Sequence, residues 1–215
     1  MPKVVFMIDG WFMRKRIYEL KSFLYDGKNI RNYCLNLLKP NEEIYRIFYY
    51  DTKPLEKRGH NPVTKKAVDF SKTKVAEDQF KLFESIKRTP NFALRLGETV
   101  WENNSWAIND SKLKALLSQS ITVGDLTEHD VKPIISQKAV DMKMGLDITL
   151  IAIKRLADKL IIITGDSDVV PVLKLARQEG MMVGLDCLGK NVRPVLKEHI
   201  DFLCKPQNKT IIGFK

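Results

Sequence analysis

Cysteine is scarce in this chain of 215 residues, and the three present, Cys34, Cys187 and Cys204, form no C-x-x-C pair. Neither a disulfide framework nor a zinc knuckle is suggested, and the expected setting is the reducing cytoplasm. Histidine is as sparse: His60, His129 and His199 are scattered and compose neither a triad nor a zinc site. No stretch approaches the roughly 20 apolar residues of a membrane span, so no membrane partner is expected. No G-x-G-x-x-G follows the first apolar run, which disfavours a nicotinamide dehydrogenase. Internal repeats and low-complexity tracts are absent. The opening Met1-Pro2-Lys3, followed directly by the apolar residues 4–8, reads as a first core strand and not a secretion signal.

What is present fits a globular α/β protein. The apolar fraction of 44% is ordinary, and the length suits one domain spanning 1–215, with a small insertion at about 102–135. A net charge of +10 favours polyanionic partners, with nucleic acid first. The short β-branched run at residues 161–163 reads as a buried parallel strand, residues 4–8 form a second apolar run and core strand, and residues 181–187 read as a further strand. Residues 43–50 and 92–101 also read as strands, and residues 106–108 are expected to pair back on the latter as an antiparallel edge. Helical spacing covers residues 11–25, which Gly27 stops, then residues 30–39, 70–87, 139–157, 169–180 and 192–199. A short helix is expected around residues 113–117, ahead of a polar loop with Gly124. In the helix at 139–157, Met142, Leu146, Leu150, Ile153 and Ala157 mark the expected buried face. Strands alternating with helices predict a mainly parallel sheet covered on both sides.

Acids then stand at the strand ends. Asp9 follows the first run, Asp51 the second, and Asp166 and Asp168 follow Thr164-Gly165 after the third. In such sheets ligands bind outside the carboxyl ends of the strands. The helix at 139–157 adds Asp141 and Asp147, which are about 120° apart on a regular helix; with Asp141 at the cap, both could border one site. Each acid alone has a plainer reading. Asp168 and Asp141 could cap helices, and Asp51 could be a loop residue. Together they favour an oxygen-only site for magnesium or manganese.

Three stretches carry a family resemblance: VFMIDG, QKAVDMKMGLDITLIA and IIITGDSDVVPVLKLARQEGMMV. In this order and spacing the chain resembles the NYN-domain proteins, the LabA-like group of the PIN-like nuclease superfamily. It departs at Trp11-Phe12-Met13, where many members carry asparagine, and at Val169, where phenylalanine is common. The resemblance implies a Rossmann-like three-layer sandwich with a mainly parallel central sheet. It also implies an acidic site built from Asp9, Asp141, Asp147, Asp166 and Asp168, supported by Gly10, Thr164 and Gly165. Metal ligation would fall to Asp9, Asp147, Asp166 and Asp168. The expected chemistry is metal-assisted phosphodiester hydrolysis, with RNA as substrate.

Arg14, Lys15 and Arg16 follow the first acid, and Lys57, Arg58, Lys65 and Lys66 occupy a basic loop; these are the expected phosphate contacts. Trp11, Tyr49, Tyr50 and Trp106 are candidate base-stacking rings, with burial the competing reading for Tyr49 and Trp106. A homodimer is allowed. Two other functions compete: a non-catalytic RNA- or nucleotide-binding module, and a small-molecule phosphohydrolase. Against the latter's aspartyl-phosphate type, no second aspartate stands at Trp11.

Overall fold

A computed structural model describes residues 1–205. Along the chain it forms β1 (Lys3–Asp9), α1 (Gly10–Leu20), α2 (Gly27–Leu37), β2 (Glu43–Thr52), β3 (Arg58–His60), β4 (Ala67–Asp69) and α3 (Lys74–Lys87). There follow β5 (Phe92–Ile108), α4 (Asp110–Leu117), β6 (Val131–Lys138), α5 (Val140–Ile153), β7 (Lys159–Ile163), α6 (Val170–Gln178), β8 (Met182–Asp186), α7 (Pro194–Lys197) and β9 (Phe202–Leu203). These residues divide into two compact units. One comprises Met1–Asp51, Lys81–Gly97 and Ala139 onward; the other comprises Thr52–Phe80 and Glu98–Lys138.

The first unit is a three-layer α/β sandwich. Its strands run in the order β5-β2-β1-β7-β8-β9, and β1 pairs parallel with both β2 and β7. Apolar residues alternate between the two faces of each central strand. Val4, Phe6 and Ile8 pack with Ile161 and Ile163 against α1, α2 and the end of α3, through Met13, Ile17, Ile30, Tyr33, Phe83 and Ile86. Val5 and Met7 pack with Leu160 and Ile162 on the opposite face, against Met144, Ile148 and Ile151 of α5 and Leu173 of α6. Strands buried on both faces must be apolar throughout, which is why these runs are legible. Parallel pairing brings the carboxyl ends of β1, β2 and β7 to one edge, with Asp9 opposite Tyr50 and Ile8 opposite Ile163.

In the second unit the far half of β5 pairs antiparallel with β6. Phe70, Trp101 and Trp106 form an aromatic cluster there, with ring centroids 5.2–6.0 Å apart. β3 and β4 make a separate hairpin. Among the described residues no helix is long and apolar enough to cross a membrane.

Several local expectations are corrected. Gly27 opens α2 instead of closing the preceding helix, which already ends at Leu20 with Lys21 in the left-handed region (φ 47°). A Cβ at Gly27 would lie 2.5 Å from Thr89 Oγ1, so close packing fixes the glycine. Trp106 to Ile108 do not fold back on residues 92–101; they continue β5 past a bulge at Asn103 and Asn104 (φ 48° and 52°) and pair with β6. The buried face of α5 is the other one. Met142, Leu146, Leu150 and Ile153 are 49–70% exposed, whereas Met144, Ile148, Ile151 and Ala152 are buried.

Candidate active site

The first wall of the site is the end of β1. Asp9 closes the strand and caps α1, its Oδ1 accepting from the Phe12 backbone N–H at 2.9 Å. Gly10 must be glycine at this crossing, because a Cβ would sit 2.6 Å from the Tyr50 carbonyl oxygen and from the Tyr49 ring. The second wall follows β7. Thr164, 1% exposed, donates its hydroxyl to Asp9 Oδ2 at 3.3 Å and accepts the Asp166 N–H at 3.1 Å. It joins the two walls directly. A Cβ at Gly165 would meet the Phe12 ring at 2.6 Å, so both Asp-Gly and Thr-Gly pairs answer to close packing. Asp166 Oδ1 accepts the Asp168 N–H at 3.1 Å, a local turn that fixes the loop.

The capping alternatives do not hold. Helix α6 begins after Val169, with no side-chain cap bond, so Asp168 is not its cap. Asp141 lies in the first turn of α5; the cap position is Ala139, in the left-handed region at φ 68°. A non-glycine residue there is strained, and such strain concentrates at functional positions.

Electrostatics ties these acids together. Burial raises the pKa of Asp9; the Phe12 N–H and the Thr164 hydroxyl oppose the rise, and the charges of Asp141 and Asp51 add to it. Asp141 is raised by burial first and then by Asp166 and Asp168. Asp141 thus feels both walls. Among the described residues none of Asp9, Asp141, Asp166 and Asp168 takes part in an ion pair. Asp9 is half-buried and Asp141, Asp166 and Asp168 are exposed, and their hard oxygen donors fit magnesium or manganese. Among the described residues no three His, Cys, Asp or Glu side chains stand in ion-holding geometry; it is the donor chemistry that fits. Asp147, expected as a metal ligand, has protein partners of its own. Its Oδ2 accepts from Tyr50 Oη and from Arg95 Nε, both at 2.9 Å.

The basic residues near β1 also separate. Arg14 Nη1 pairs at 3.0 Å with Asp51, whose side chain is 1% exposed. Arg16 donates to the Leu188 carbonyl at 3.0 Å and pairs with Glu19, which makes it a packing anchor. Lys15 Nζ sits 5.0 Å from the Trp11 ring centroid, and Trp11 is 50% exposed. Tyr49 and Tyr50 are fully buried, Tyr49 sharing a 3.0 Å hydroxyl contact with Tyr25; neither ring offers a stacking face. Lys57, Arg58, Lys65 and Lys66 belong to the second unit, where the expected loop is a hairpin. Lys57 precedes β3, Arg58 pairs with Asp69 at 3.0 Å, and exposed Lys65 and Lys66 lie in the turn. Sequence reasoning missed Arg95 and the partners of Asp51 and Asp147. The signal was a lone charge in the apolar run Phe92-Ala93-Leu94-Arg95-Leu96.

Fold and residues define a class: a Rossmann-like α/β protein with a cluster of acids at the carboxyl edge of a mainly parallel sheet. The chain belongs to the NYN domain family, whose profile matches residues 67–192, more than half of its length. That places it in a nuclease-type fold. The matched span carries Asp141, Asp147, Asp166 and Asp168, and Asp9 precedes it. Comparison with curated proteins returned no match. Among solved structures the chain is similar to a protein of unknown function, VPA0982, from Vibrio parahaemolyticus RIMD 2210633. The TM-score is 0.52 at 13% identity, over 94% of this chain and 91% of that one. This likeness concerns the fold alone.

Proposed function

We propose that this protein is a metal-dependent ribonuclease of the LabA-like NYN group, a single NYN domain elaborated by the second unit, acting on RNA in the cytoplasm. The observation that carries the reading is the set of four carboxylates, Asp9, Asp141, Asp166 and Asp168, in which the charge of Asp141 acts on Asp9 and those of Asp166 and Asp168 act on Asp141, with no ion pair to any of them among the described residues. These four would hold magnesium or manganese. When bound, the ion neutralises a phosphodiester and lowers the pKa of water, so the site needs no histidine base.

The chain's own residues supply the rest. Thr164 and the Phe12 N–H fix both oxygens of Asp9. The Asp166 turn holds the second wall in place. Exposed Trp11, with Lys15 above it, offers a ring for base stacking beside a charge for the backbone. Lys57, Arg58, Lys65 and Lys66 add phosphate contacts, in keeping with the net charge of +10. A homodimer belongs to the same proposal.

A non-catalytic RNA-binding module is the competing reading, favoured by the lack of preformed ion-holding geometry among the described residues. One assay separates them. Purified protein with manganese or magnesium is expected to cut labelled single-stranded RNA, and Asp9→Asn or Asp166→Asn to abolish cutting. Full activity in both variants would sink the nuclease assignment. Salt-sensitive binding without metal-dependent cleavage would establish the binding module.

A further inference from the structure

The pair Arg95–Asp147 lies beside the acid cluster without belonging to it. Arg95 gives one N–H, at Nε, to Asp147 Oδ2. Asp147 is held in turn by the hydroxyl of Tyr50, a fully buried residue. The guanidinium lies over the Phe48 ring, 5.0 Å from its centroid, and Phe48 is 7% exposed. Lys143 Nζ donates to the Leu96 carbonyl at 2.6 Å, tying the first turns of α5 to the same strand. Arg95 is therefore fixed at one nitrogen and one face, yet 40% of its side chain remains exposed. Its two terminal nitrogens, the fork that fits phosphate oxygens, take no hydrogen bond among the described residues.

An exposed arginine ordinarily carries rotamer entropy that a ligand must overcome. Here the fold has already restricted it, and preorganised groups bind more tightly for that reason. The location suits a polymer. β5 neighbours β2, and β2 neighbours β1, so the strand that carries Arg95 runs two strand spacings, about 10 Å, from the strand that Asp9 ends. Tyr50, the register partner of Asp9, lies between them.

We infer that Arg95 binds a backbone phosphate of single-stranded RNA running past the acid cluster, and that Asp147 is the positioning residue that aims it. The inference takes its substrate class from the ribonuclease reading but does not depend on turnover. Charge alone makes the opposite prediction for Asp147: removing its negative charge would strengthen RNA binding. Orientation predicts weakening.

The test is anisotropy titration of a fluorescein-labelled single-stranded RNA with the full chain, in EDTA and across a salt series. Arg95→Ala is expected to weaken binding about 5- to 20-fold and to reduce the log–log salt slope by about one. Arg95→Lys keeps a charge for Asp147, and so guards against misfolding, yet it is expected to weaken binding because the fork is lost. Asp147→Asn is expected to weaken binding with little change in salt slope. Combining it with Arg95→Ala should add nothing further. Tighter binding by Asp147→Asn, or wild-type affinity in Arg95→Ala or in Arg95→Lys, overturns the inference while the nuclease reading stands. A wild-type chain that binds no RNA overturns both.

Discussion

Asp186 supplies a stability test that is independent of any substrate. It ends β8, is 4% exposed, and accepts the Leu188 N–H at 2.8 Å and the Tyr33 hydroxyl. Burial raises its pKa from 3.8 to about 6, although both hydrogen bonds oppose the rise. The sign follows directly. Below 3.8 both folded and unfolded chains hold the proton; between there and about 6 only the folded chain does. The contribution to stability is therefore fully present below 3.8 and is lost as the pH rises through about 6. At about 1.4 kcal/mol per pH unit, the loss is about 3 kcal/mol. Asp186→Asn removes the titration while its amide retains an acceptor for Leu188 and a donor for Tyr33. Urea unfolding of both proteins at pH 4, 5, 6 and 7 measures the effect. Wild type should lose about 2.5 kcal/mol of that relative to the variant across this range. Asp9 and Asp141 are raised in the same direction, but they occur in both proteins and cancel in the difference. Parallel stability curves would refute the account of Asp186 as a buried acid that ionises at a cost.

Other consequences are as concrete. Ile148→Ala, at a site 1% exposed, should cost about 2–5 kcal/mol, whereas Leu146→Ala, at 64% exposure, should cost within about 0.5 kcal/mol; equal costs in urea titrations would mean that α5 is rotated. Asp9→Ala removes the α1 cap and should cost about 1 kcal/mol. Asp9→Asn keeps the cap and sheds a buried charge, so its melting temperature should equal or exceed wild type while RNA cleavage is lost. An asparagine variant destabilised as much as the alanine one would contradict the capping geometry.

The legible parts of this fold are those in which burial on both sides forces one composition. β1, β7 and β8 are such runs, and each stands within a residue or two of where its sequence places it. The existence of α5 is legible for the same reason, but its orientation is not. Both Met142-Leu146-Leu150-Ile153 and Met144-Ile148-Ile151 are apolar stripes, and a helix apolar all round gives periodicity nothing to choose by. Packing against Leu160, Ile162 and Leu173 decides in favour of the second. β6 is hidden because Val131-Lys132-Pro133 looks like a loop. Proline is tolerated there because β6 is an edge strand, with Pro133 opposite Trp106.

Chemical type was legible at the site and charge pairing was not, and pairing is what sorts the acids. The partner of Asp51 lies 37 positions away at Arg14, and that of Asp147 lies 52 positions away at Arg95. No local spacing connects them. Once both arginines are placed, six candidate carboxylates divide into two neutralised by protein and four that are not. A partly desolvated carboxylate with other acids nearby and no cation tends either to take up a proton or to recruit a cation from solution. Asp9 and Asp141 show the first tendency in their raised pKa values. A divalent ion would supply the second, and would drive the protons off as it bound. Manganese binding should therefore release protons at weakly acidic pH, and less so in Asp9→Asn or Asp141→Asn. Asp147→Asn, already paired with Arg95, should release as many as wild type. Calorimetry in buffers of different ionisation enthalpy counts those protons, and an equal loss in all three variants would return Asp147 to the metal and take it away from Arg95.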